Sequence, residues 1–202
     1  MDLPGFCRFL DGEGAHAVFC LMVDMYSDRP LAQTVLAPGG SLLETCPFFD
    51  REPYRLFRHE VFPHAMAFGG PRARLFNERL SGERRPPQIS KVPLVRWRAD
   101  TRYLASTHHM TPTPLAQITG ALLHFKFLSD FAVRAEVEAT RGEHFADARE
   151  YRDYRDLVRG GLNSLMADVS VRFEDSAQLV ATRIMQTSGA YEAFAAALTT
   201  GA

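Results

Sequence analysis

The sequence predicts an α/β fold in which strands and irregular chain come first and helices last. Three observations carry this. Residues 17–23, AVFCLMV, are apolar throughout and are bounded by glycines before and by SDRP after, the signature of a strand buried on both faces. Two further stretches, ISKVPLVRWRADTRYLASTHHM and GALLHFKF, have strand-like composition. From residue 131 the chain becomes charged, with apolar positions recurring at three- and four-residue spacing.

Taken in order, Leu3, Phe6, Phe9 and Leu10 share one face of a helix that Gly12 and Gly14 stop. The buried strand AHAVFCLMVDMYS follows, with Asp24 at its C-terminal end, where open α/β sheets place ligand-binding residues. Residues 28–60 are rich in turn chemistry, yet Phe48, Phe49, Tyr54 and Phe57 must pack, so an ordered loop region is expected. In AMAFGGPRARLF the glycine pair before proline reads as a turn. ERLSGERRPPQ is the most polar stretch and reads as a solvated loop carrying Arg79, Arg84 and Arg85. Two strands are expected around a turn at Ala99–Asp100. TPTPLAQIT is expected as a loop and GALLHFKF as another strand. Gly142 separates two helices through position, the second carrying Phe145, Ala148, Tyr151 or Arg152, Tyr154 or Arg155 and Val158 on its apolar stripe, and Gly160–Gly161 ends it. DSAQLVATRIMQTSGAYEAFAAAL closes the chain as further helix.

The 202 residues suffice for one domain with a real core. A net charge of −1 sets up no global field for nucleic acid, so no nucleic-acid partner is expected. No apolar run approaches a bilayer span, and the acidic opening MDLPGFCRFLDGEG is unlike a secretory signal. Cys7, Cys20 and Cys46 are odd in number and lack CxxC spacing, which argues against a disulfide framework and a cysteine zinc site and favours a reducing, cytoplasmic setting.

The stretch TGALLHFKFLSDF sets an imidazole and an ammonium inside an apolar run. If it is a strand throughout, His124, Lys126 and Leu128 share one face and Phe125 and Phe127 the other. Such a pair could bind an anion, or a metal that holds one; the alternative is a strand whose polar face is merely wet.

The ordered set VDMYSD, CPFFDRE, FGGPRARLF, SKVPLVRW, YLASTHH, TGALLHFKFLSDF and RGEH, across roughly residues 15–190, resembles the C-terminal part of bacterial family-2-like glycosyltransferases. The resemblance implies an incomplete type A glycosyltransferase-like sandwich with a mixed sheet over residues 1–130, followed by a C-terminal helical segment, residues 131–202, packed on it. It implies sugar transfer from a nucleotide-sugar donor to a saccharide or surface-polymer acceptor, with divalent Mn²⁺ or Mg²⁺ between an Asp-x-Asp motif and the sugar diphosphate. No such acidic pair ends a strand ahead of VDMYSD, and Asp24 and Asp28 are four apart. The chain therefore reads as the acceptor-side half, inactive alone and completed by self-association or a partner chain. A non-catalytic remnant or protein-interaction module is the competing reading.

By the same resemblance, His124, or His108 and His109 in STHH, could complete the metal site, although adjacent strand residues point opposite ways. Lys126 could meet a phosphate oxygen. Arg72 and Arg74 could hold phosphate or an acidic acceptor, or be simply solvated, and Lys91 could orient a ligand. Asp24 is the candidate catalytic base, with Asp50 and Glu52 as alternatives. Trp97 reads as a core residue, with stacking on a sugar ring as its functional alternative.

Overall fold

In the computed structural model, which describes residues 1–58, 60–78 and 86–200, helix α1 (Leu3–Gly12) precedes strand β1 (Ala17–Asp24). The middle of the chain holds α2 (Leu42–Thr45), β2 (Phe48–Asp50), β3 (Tyr54–Phe57), β4 (Met66–Gly69) and α3 (Gly70–Glu78). Next come β5 (Ser90–Val95), β6 (Tyr103–Ala105), β7 (His109–Met110) and β8 (Leu115–His124). The rest is α4 (Phe131–Arg141), α5 (Phe145–Arg159), β9 (Ser170–Arg172), α6 (Ser176–Ala181) and α7 (Gly189–Thr200). The fold is mixed α/β with a mixed sheet.

The main sheet has the order β5-β1-β8, with β1 antiparallel to β5 and parallel to β8. Its central strand is apolar throughout because both faces are covered. Ala17, Phe19, Leu21 and Val23 enter one core with Leu179 and Ile184, while Val18 and Cys20 enter another with Phe9, Leu10 and Ile118. Gly120 lies opposite Cys20, and a Cβ there would meet Cys20 Sγ at 2.7 Å, so the close strand approach depends on glycine. A third core joins Tyr26, Leu75 and Phe76 to Phe127, Phe131, Tyr154 and Leu157, so residues on both sides of position 130 share it.

Helix α4 buries Phe131, Ala135 and Ala139 at four-residue spacing and ends on Gly142 with φ 71°. In α5, residues 146–148 have positive φ, and regular right-handed turns follow them. Four expectations change. TPTPLAQIT is not all loop, because β8 begins at Leu115. That strand ends at His124, so Lys126 reaches its partners from beyond the strand. The expected glycine turn instead opens α3: Gly70 has φ 64°, and Pro71 in the first turn costs the helix no hydrogen bond. The C-terminal part also contributes a strand, β9, which pairs with β2. The expected arginine loop at Arg79, Arg84 and Arg85 lies outside the described residues.

Gly69, paired with Tyr54 across the β3–β4 ribbon, delivers the chain into α3. A Cβ on Gly69 would meet Pro53 O and Tyr54 Cδ1 at 2.6 Å. Gly69→Ala is expected to lower stability by about 1–3 kcal/mol, the range for overpacking, read as a lower urea midpoint at unchanged slope.

Candidate functional site

Parallel pairing sets Asp24 directly beside His124, at the matched C-terminal ends of β1 and β8. The Asp24 carboxylate is 1% exposed, and α3 supplies its counter-ion. Arg72 donates from Nε to Oδ2 at 2.6 Å and from Nη2 to Oδ1 at 3.0 Å. Arg72 is itself buried, so the pair is a two-pronged ion pair shielded from solvent. His124 Nδ1 lies 2.7 Å from Asp24 Oδ1. Facing a carboxylate, Nδ1 is the donor, and the neutral ring then keeps an unprotonated Nε2. The His124 side chain is 36% exposed, so the assembly runs from a sealed guanidinium through a sealed carboxylate to a half-exposed imidazole.

Burial alone would raise the Asp24 carboxyl. The charge of Arg72 and the hydrogen bonds from His124 and Arg72 outweigh it and hold the group below its ordinary range. Burial would likewise lower Arg72, but Asp24 drives it upward. The two directions agree: each partner fixes the other in its charged form.

Lys126 lies close by. Its ammonium donates to Glu150 Oε1 at 2.8 Å and sits over the rings of Tyr154 and Tyr151, 4.2 and 4.8 Å from their centroids. Burial, aided by the charge of Arg72, pulls Lys126 down, while Glu150 opposes this. Lys91, on β5 opposite Cys20, is half-buried; burial first and Arg72 second lower it. His108 is anchored through Nδ1 to Ser90 O at 2.7 Å, and burial and the neighbouring Lys91 lower it.

The structure thus brings Asp24, Arg72, Lys91, His108, His124 and Lys126 into one electrostatic neighbourhood. Arg74 and His109 are used differently. Arg74 grips Asp50, with Nε and Nη2 each 3.2 Å from a carboxylate oxygen, and donates to Leu165 O. Asp50 also accepts from the Tyr26 hydroxyl, and burial raises it in spite of these donors. His109 is buried and stacks on Phe62 at 4.1 Å, its Nε2 lying 3.2 Å from Gln88 Nε2. Of the two adjacent histidines, His109 is the one turned inward, as alternation requires. Glu52 is exposed beside Arg51. Trp97 is not a core residue: it is 61% exposed, tilted against Tyr103 at 5.7 Å.

Two members of the site were missed in the sequence. Glu150 and Tyr154 come from α5, where EYRDY reads as an ordinary charged helix face. Their four-residue spacing, which sets both on one side of a helix, is the signal that could have linked them.

Among the described residues no three His, Cys, Asp or Glu side chains gather as a metal-binding group. Both Asp24 oxygens are engaged, and Arg72, Lys91 and Lys126 bring positive charge to the same place. This donor set does not fit a divalent cation held by these residues alone.

Arg72→Met strands a buried carboxylate and is expected to cost about 3–5 kcal/mol in urea unfolding. The folded state holds Asp24 below its unfolded value of about 3.9, so its contribution is complete above that pH and is lost as pH falls through the lower folded-state value. Asp24→Asn should flatten the loss of stability below about pH 4. Comparison with protein-family models, with curated proteins and with solved structures finds no match, so the chemistry of this site rests on its own geometry.

Proposed function

We propose that the chain is a family-2-like glycosyltransferase, transferring a sugar from a nucleotide-sugar donor to a saccharide or surface-polymer acceptor. The supporting observation is the Asp24–His124 pair at the joined ends of two parallel strands, flanked by Arg72, Lys91 and Lys126. A type A architecture is part of the same reading, supported by the mixed sheet and by the order of motifs from VDMYSD to RGEH.

In this reading His124 Nε2 takes the proton of the acceptor hydroxyl. The acceptor oxygen bonds to the anomeric carbon as the bond from that carbon to the diphosphate breaks, and the electron pair leaves on the diphosphate. Asp24 is too buried to reach substrate. It is a positioning residue that holds the His124 tautomer and stabilises the imidazolium formed after proton transfer, the role a buried carboxylate plays behind a catalytic histidine. The divalent metal expected from the resemblance is assigned no step, given the donor set.

Release of nucleotide from UDP- or GDP-sugars, stimulated by a saccharide acceptor, is the measurement. His124→Gln is expected to lower kcat/KM by about 10²–10⁴ in a chain that still folds, because the substitution removes the base and leaves the Arg72–Asp24 ion pair in place. Acceptor-stimulated release that survives in His124→Gln would overturn the assignment.

An interaction module is favoured by one observation, the apolar exposure of the β3–β4 ribbon at Leu56 and Phe57, 64% and 51%, with Val61 nearby in sequence at 76%. That reading expects a mass that rises with concentration in light scattering and returns to monomer in Phe57→Ser; a constant monomer mass removes it.

A further inference from the structure

We infer that a cavity at the outer edge of β8 binds a small organic cation, an ammonium carried on an aromatic or hydrocarbon body. The inference stands apart from the glycosyltransferase reading. Thr119, on the cavity wall, precedes His124 by five residues, about 16 Å of extended strand.

Three observations lead there. The first is the space itself. A cavity of about 310 Å³ lies where α1, α6 and α7 meet β8. That volume is at the lower end of the range for ligand sites, and about twice an engineered apolar cavity that takes up benzene. Because β8 is an edge of the main sheet, the link between α6 and α7 lies beside it in place of another strand. Thr119 N donates to Gln186 O at 2.9 Å, and Gln186 N donates to Thr119 Oγ1 at 2.8 Å. These two bonds tie the link to the strand, so this wall is part of the fold.

The second is the lining. Ile118 on β8, Val180 on α6 and Met185 in the link give aliphatic walls. Phe6 of α1 and Tyr191 of α7 add two rings set at 89°, their centroids 6.1 Å apart. Such walls take up an apolar body, and aromatic faces also attract an ammonium.

The third is the charge. Among the described lining residues Glu192 alone is charged, and it stands at the exposed rim beside Tyr191. It makes no ion pair with any described residue. Ser188 holds both rim residues: Tyr191 N donates to its Oγ at 3.2 Å and Glu192 N to its carbonyl oxygen at 3.0 Å. An apolar space with one unmatched carboxylate at its mouth selects a cation over an anion of the same shape, because the anion would meet Glu192 with no counter-charge in the lining.

Calorimetric titration of the full chain with tryptamine tests this, against indole-3-propionate, which carries the same ring with the opposite charge. Saturable binding of tryptamine is expected, about tenfold tighter than that of indole-3-propionate. Glu192→Gln should weaken tryptamine about three- to fivefold, the scale of one exposed ion pair, and narrow the gap between the two ligands. Ala177→Trp brings an indole to the cavity from an exposed position on α6 and should abolish binding. Glu44→Gln, at an exposed carboxylate on α2, should bind like the parent chain, and near-ultraviolet circular dichroism should show all variants folded. The inference is overturned if the parent chain shows no saturable binding of tryptamine, if indole-3-propionate binds as well, or if either cavity variant binds like the parent. Tryptamine binding is expected to persist in His124→Gln, so this inference and the glycosyltransferase reading fail separately.

Discussion

The structure depends on keeping one carboxylate ionised where water does not reach. Asp24 ends the central strand in the interior, and an unpaired charge there would cost several kcal/mol. The two-pronged guanidinium of Arg72 removes that cost only if α3 lies against the end of β1. The chain must therefore turn sharply from β4 into α3, and Gly69 and Gly70 make the turn possible. A polar-looking helix is consequently buried on almost every side, with Ala73, Leu75 and Phe76 packed into the core around it.

Helix α3 meets this requirement twice. Two residues after Arg72, Arg74 reaches Asp50 at the end of β2, where Tyr26 and Ser170 complete a polar knot that also ties in β9. Asp24 and Asp50 nevertheless shift in opposite directions. Asp24 is gripped by a sealed guanidinium and an imidazole and is held low. Asp50 shares a guanidinium that also serves Leu165 O, feels the negative charge of Asp24, and is pushed up by burial. The first arrangement keeps a permanent charge behind a histidine, and the second chiefly fastens strands together.

Around the Asp24–Arg72 pair, charge becomes more accessible with distance from the core. Lys126 is shielded by two tyrosine rings and Glu150, while His124 and Lys91 are half-open on one side of the sheet. The rigid interior pair orients His124 through its hydrogen bond with Asp24, and orientation set in advance is what lets a small number of charges act strongly.

By itself the sequence determined what local chemistry dictates. The continuous apolar run identifies β1 as doubly buried, Gly142 and Gly160 mark helix ends, and His124 and Lys126 stand out as polar groups inside the apolar run TGALLHFKF. Asp24, His124, Lys126, Lys91 and Arg72 were all legible as chemically interesting, but not as neighbours. Tertiary structure decided which of them meet, because parallel pairing joins residues 100 positions apart and helix α3 was hidden behind a turn-like GGP. It also decided that Trp97 stays at the surface and His109 goes inside, and that Glu150 and Tyr154 belong to the site. Burial and long-range pairing are properties of the packed whole, and no short window of residues encodes them.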